Sequence, residues 1–420
     1  MPEIASLRAL EILDSRGRPT VLATCTLASG AQASASVPSG ASTGAAEALE
    51  LRDGDPKRYR GLGCRTAVAN INTTINDALR GTEFPDQAAL DRAIIALDGT
   101  PNKSSLGANA ILAVSLAFAR AVAEERSVPL YQHFADIIAP GQPIATLSRP
   151  TVNLFSGGKH AGGQVSIQDV LIVPVFAQTI DESMATIYAV YQAAVDLCRD
   201  KYGMRALVAD EGGLAPEFSS IEAMLDDAVR SIEAAGYRPG EDVAICVDVA
   251  SSHFYEDGRY RLNDRPLSAE EMIDTLSGWL DRYPIVSVED GLAEDDWGNW
   301  PALKQRIGDR ALVLGDDLLT TNPRRIQKAI NLDAANALLL KVNQIGTLTE
   351  AAEACNLARS EGWHVTVSAR SGETEDDWLS DLAVGWGGNH LKVGSITRSE
   401  RLAKWNRLLA IEAETSLPVA

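Results

Sequence analysis

The sequence predicts an α/β protein, a closed barrel of strand–helix units behind a smaller α+β cap. Three observations carry this. Short apolar runs recur through the later two thirds of the chain, spaced at about one βα unit. Many of these runs stop at a charged residue. At 420 residues the chain is too long for one ordinary core, so a second domain is expected.

The elements follow in order. Residues 19–29 (PTVLATCTLAS) alternate as a strand does. Residues 37–55 (VPSGASTGAAEALELRDGD) read as a mobile Gly/Ser/Thr loop, with a helix beginning at EALELRD. Residues 107–125 have helical spacing and a broad apolar face, expected of a helix packed into an interface. Pro140, Gly141, Pro143 and Pro150 mark 136–150 as the junction, which assigns 1–135 to the cap and 136–420 to the barrel. Eight candidate staves are then VSIQDVLIVPV (165–175), RALVADEGG (205–213), VAICVDVA (243–250), PIVSVEDG (284–291), ALVLGDDL (311–318), ALLLKVNQ (337–344), HVTVSARSG (364–372) and NHLKVGS (389–395).

From Asp248 the polar residues at successive run ends are Glu289, Asp316, Lys341, Arg370 and Lys392, at intervals of 41, 27, 25, 29 and 22 residues. Barrel strands present their C-terminal ends at one face, so Asp248, Glu289 and Asp316 should converge there. Carboxylates are costly to bury unpaired, and an all-oxygen set without His or Cys indicates Mg²⁺. Lys341, ending an apolar run beside other cations, is expected to have a lowered pKa and to act as a general base. Arg370 and Ser371 offer a donor fork and a hydroxyl for a phosphate or carboxylate. Lys392 adds a cation, and Glu211 in DEGG is expected on the same face. Together they describe proton abstraction beside a carboxylate, with the enolate held by metal and Lys392.

Composition narrows the function classes. A net charge of −19 and a pI near 4.7 argue against a nucleic-acid or anionic-membrane partner, though a small anionic substrate remains compatible with locally gathered cations. Cys25, Cys64, Cys198, Cys246 and Cys355 form no CxxC pair, and the N-terminus shows no basic-then-apolar leader. A cytoplasmic setting is the expectation.

The motifs SGASTG…EALELRDGD, LDGTPNKSSLGANAIL, DEGGLAP, VEDGLAEDDWGNW, GDDLLTTNP, LLLKVNQIGTLTEA and RSGETED resemble the enolase family nearly end to end. The resemblance implies a modified (βα)8 barrel with an N-terminal α+β capping domain. It implies two Mg²⁺ per site, one on Asp248, Glu289 and Asp316, a second joined by Ser39. It implies Lys341 as the base at C2, Lys392 beside the substrate carboxylate, Glu211 assisting loss of the C3 hydroxyl, and Arg370 with Ser371 clamping phosphate. His160 corresponds to a loop histidine and Gln168 to the family's glutamine. A homodimer or higher homo-oligomer is also implied.

Several positions depart from that resemblance. Ala369 stands for a histidine beside the clamp, Asp169 for a glutamate that assists Glu211, Lys159 for a serine before the loop histidine, and Gly291 for a proline. GSIT replaces the usual residues at 394–397. Extra space and an added cation suit a substrate with a larger, more anionic phosphoryl end. Enolase-like enzymes of phosphinothricin-type antibiotic pathways, associated with carboxyphosphonoenolpyruvate, fit that expectation. The alternatives are a housekeeping glycolytic enolase and a weakly catalytic binding or scaffold protein.

Overall fold

The computed structural model describes residues 1–420 apart from 42, 204–206 and 264. Strands β1 (Ile4–Leu13), β2 (Pro19–Leu27) and β3 (Gln32–Ser36) form an antiparallel meander. Along β2 the residues Val21, Ala23, Cys25 and Leu27 alternate inward, as a sheet with one buried face requires. That face packs on the helix Ala108–Arg126, whose residues are buried without a break from Ala108 to Ala119. An apolar surface all round marks a helix buried on every side. Its other side meets the barrel helix Leu348–Ser360, so the small sheet and the barrel share one core.

EALELRD forms no helix, which corrects the sequence expectation. Its backbone donors are taken elsewhere: Ala48 N by Gln344 O, Leu49 N by Asn102 O and Asp53 N by Gly63 O, each at 2.8 Å. Tertiary partners override a modest local helix propensity here.

The barrel strands are β4 (Arg149–Ser156), β5 (Asp169–Pro174) and β6 (Val243–Asp248). A small sheet of β7 (Tyr255–Glu256), β8 (Arg259–Leu262) and β9 (Arg265–Leu267) intervenes. Then come β10 (Ile285–Glu289), β11 (Leu312–Gly315), β12 (Ala337–Leu340), β13 (His364–Ser368) and β14 (His390–Gly394). Closure runs β4–β5–β6–β10–β11–β12–β13–β14 and back to β4.

Two features correct the eight-run reading. The eighth stave is β4, which begins inside the expected junction, and Pro150 sits at its second position, where one absent N–H is tolerated. The 205–213 run is no stave. Positions 205 and 206 lie outside the described residues, 207–213 form no stave, and Leu214, just past the run, is held on β4 through Ser156 N to Leu214 O and Leu214 N to Leu154 O, both 2.9 Å. In addition, β5 runs antiparallel to both neighbours, so its first residue, not its last, lies at the mouth. Asp169 thereby sits opposite Ser156 and Asp248.

All five cysteines are buried and unpaired. Among the described residues no helix is long and apolar enough to cross a membrane.

Candidate active site

At the mouth, Asp248 and Glu289 end adjacent staves in register. Lys392 Nζ lies between them, 3.0 Å from Asp248 Oδ2 and 2.7 Å from Glu289 Oε2. Asp316, just past β11, pairs with Lys341 Nζ and accepts from Gln344 Nε2 at 2.8 Å. Gln168 Nε2 donates to Asp248 Oδ2 at 3.2 Å. Burial in company with Asp248 pushes the Glu289 carboxyl well above its ordinary range. Glu289 Oε1 and Gln168 Oε1 are buried without a hydrogen-bond partner. Orphaned oxygens beside an all-oxygen acid set fit a hard divalent cation.

Among the described residues two buried groups place their ligand atoms within 4.8 Å of one another: Asp290, Asp316 and Asp317, and His160, Asp169 and Glu211. Asp248, Glu289 and Asp316 are not such a trio; Lys392 pairs with the first two and Lys341 with the third. Asp290 plays another part. Its backbone turns at φ 44°, and its carboxylate accepts from Asp316 N at 2.9 Å and Asp317 N at 2.8 Å. Of the two acids ending IVSVED, Glu289 pairs with Lys392 and Asp290 braces the exit of β11.

Lys341 departs from the sequence expectation. Burial is the largest single influence and would lower its pKa, but the carboxylates around the amine, Asp316 first and Glu289 after it, together outweigh burial and raise it. The Asp316 carboxylate beside Nζ stabilises the charged amine.

His160 donates from Nδ1 to Asp169 Oδ2 at 2.8 Å, and its Nε2 lies 3.7 Å from Glu211 Oε1. Ser156 Oγ donates to the other Asp169 oxygen at 2.5 Å, and Asn153 Nδ2 to Glu211 Oε2 at 3.1 Å. Burial opposes charge on the imidazole, yet Asp169 and Glu211 hold it protonated up to about 9. Burial would raise Glu211 too, but His160, Arg401 and the lysines hold it down at about 2. The group's proton therefore resides on His160, not on Glu211. The His160 contribution to stability is complete below its ordinary value of 6.5 and is lost as pH rises through about 9. The Glu211 contribution is complete above 4.5 and is lost as pH falls through about 2. Denaturant titrations should accordingly show wild type losing its advantage over His160→Gln between about pH 6.5 and 9. A gap independent of pH across that range would exclude a charged His160.

Arg370, just past β13, pairs with Glu47 through Nη1 at 3.0 Å and Nη2 at 3.2 Å, and Nη1 donates to Asn343 Oδ1 at 2.9 Å. Ser371 Oγ accepts from Arg16 Nη1 at 3.1 Å. Ser39 and Gly372 exchange backbone hydrogen bonds at 2.8 and 2.9 Å. Ser39 Oγ is bound to Glu50 and Arg52. A Cβ on Gly372 would meet the Ser39 carbonyl oxygen at 2.8 Å, so glycine permits this close backbone approach. Ala369 lines the pocket together with His160, Glu211, Lys341, Arg370 and Lys392. Lys159 is exposed and lines a neighbouring groove with His253 and Phe254.

Residues 4–134 match a profile described as "Enolase, N-terminal domain", and residues 144–418 match "Enolase, C-terminal TIM barrel domain". The chain belongs to the enolase family. It is an enolase-type carbon–oxygen lyase on a barrel of eight closed strands. The sequence reading assigned no site role to Glu47, Asn153 or Gln344, and of the two acids 289 and 290 it placed only Glu289 at the site. Gln344 sits one helical turn past Lys341, a spacing that puts both on one face and was available as a signal. Glu47 was hidden inside a stretch that looked helical.

Proposed function

We propose that this enolase-family lyase is Mg²⁺-dependent and removes the C2 proton of a 2-phosphoglycerate-like acid to form an enol ester. Lys341 Nζ accepts that proton. It does so as the neutral amine, and a cation held by Asp316 would weaken the carboxylate's hold on the amine's proton. Lys392 supports the negative charge that develops on the substrate carboxylate. The C3–O bond then breaks, and the departing hydroxide takes the proton held by His160 beside Glu211, leaving as water. Asp248, Glu289 and Asp316 would hold the metal, which supplies positive charge opposite the enolate. Arg370 and Ser371 face the phosphoryl group.

The substrate we favour carries a carboxylate on phosphorus, so that the product is carboxyphosphonoenolpyruvate. The observation that carries this choice is Ala369, a methyl group in the pocket wall next to Arg370. A small side chain there leaves room at the phosphoryl end. Lys159, exposed in the adjoining groove, adds positive charge at the mouth but is not part of the pocket wall. Ordinary 2-phosphoglycerate dehydration is the second reading, favoured by the gathering of Lys341, Lys392, Glu211 and Arg370 in one pocket.

Substrate competition separates the two. Ala369→His should lower kcat/KM for the carboxyphosphono substrate about tenfold or more, the scale of about 1.4 kcal/mol, while sparing 2-phosphoglycerate. Rapid turnover of 2-phosphoglycerate by wild type, with no preference for the larger substrate, would establish the housekeeping reading instead.

A further inference from the structure

We infer that Glu47 is a built-in counter-anion of Arg370 and a specificity-determining residue, because a phosphoryl group must share or displace it to reach the guanidinium. The inference rests on the reading above that Arg370 faces the phosphoryl group. Glu47 and Arg370 bring together two parts of the chain 323 residues apart. Their side chains are 7% and 3% exposed, so the pair is shielded from water and from salt. Both guanidinium terminal nitrogens point at the Glu47 carboxylate, the two-pronged geometry by which arginine also takes a phosphoryl group.

Glu47 is itself held in place. Its Oε1 accepts from Gly44 N at 3.0 Å and from Gln344 Nε2 at 3.4 Å. Gln344 Nε2 also reaches Asp316, so the carboxylate is linked by one amide to the partner of Lys341. The segment that carries Glu47 is tied at its start by the reciprocal Ser39–Gly372 bonds and farther along by Glu47–Arg370. Both ties fall on the same three barrel residues, 370–372.

A phosphoryl dianion at Arg370 would lie within a few ångströms of this carboxylate, with little water between. Like charges that close repel strongly in a low-dielectric site. Glu47 therefore weakens phosphoryl binding, and it does so most for the most highly charged ligand.

Inorganic phosphate is the probe. Its affinity is measured by calorimetry on wild type, Glu47→Gln, Arg370→Gln and the double variant, with thermal midpoints recorded alongside. Glu47→Gln keeps the shape and removes the charge, and is expected to tighten phosphate about tenfold. Glu47→Asp withdraws the charge by one methylene and should fall between the two, which provides a folded variant if the glutamine fails. The gain should vanish in the double variant, as direct coupling requires. Unchanged or weaker phosphate binding by Glu47→Gln at an unaltered midpoint would overturn the inference while leaving Arg370 as the ligand. If Arg370→Gln bound phosphate as wild type does, the reading of Arg370 would fall, and the Glu47 inference with it.

Discussion

Lys341→Ala is expected to lower dehydration turnover by about a thousandfold or more, the upper part of the range for a positioned general base. The effect should appear in kcat more than in KM. Lys341 is partly buried at the exit of β12, where its backbone N is fixed by Thr321 Oγ1 at 2.9 Å, so the loss comes from the amine and not from a collapsed strand end. The pairing with Asp316 adds a second signature. Without the amine, Asp316 loses its cationic neighbour, and a divalent cation should bind more tightly to the variant than to wild type. Steady-state kinetics with calorimetric Mg²⁺ titration checks both. A variant retaining more than about a tenth of wild-type kcat would remove Lys341 from the role of base.

Lys392→Met is expected to destabilise the metal-free protein by about 3–5 kcal/mol, the usual result of removing one partner from a buried charge network. Lys392 holds two carboxylates at once, Asp248 at 3.0 Å and Glu289 at 2.7 Å, and all three side chains are at most 7% exposed. Methionine fills the stem and leaves two buried carboxyl groups on neighbouring staves without their shared cation. Saturating Mg²⁺ should narrow the stability gap, since a dication held by those two acids replaces the missing charge, and anything that binds only the folded state stabilises it. Urea midpoints with and without Mg²⁺ give the answer. A gap that Mg²⁺ leaves untouched would mean that Asp248 and Glu289 do not hold the metal.

Much of this architecture was legible because apolar runs and their charged ends repeat at a fixed interval. Asp248, Glu289, Lys341 and Lys392 were placed at one mouth by that rhythm alone, and the family motifs added Ser39, His160 and Gln168. The illegible parts have physical reasons. Strand β4 was obscured by Pro150, which reads as a break but is harmless at a strand start. The reversal of β5 leaves no local mark, since an apolar strand reads alike in either direction. The raised pKa of Lys341 depends on contact with Asp316, which position along the chain does not reveal. Likewise the proton on His160 follows from Asp169 and Glu211 closing around one ring, from three segments that meet only in the folded barrel.

Hydrogen exchange at C2 is the most direct test of the enolate chemistry itself. Wild-type protein is incubated with Mg²⁺ and a 2-phosphoglycerate-type substrate in D₂O, and the C2 proton signal is followed by NMR alongside Lys341→Ala. Deuterium should enter C2 of recovered substrate with wild type and not with the variant. Substrate that is converted by wild type without exchange, or exchanges equally with the variant, would contradict proton abstraction by Lys341.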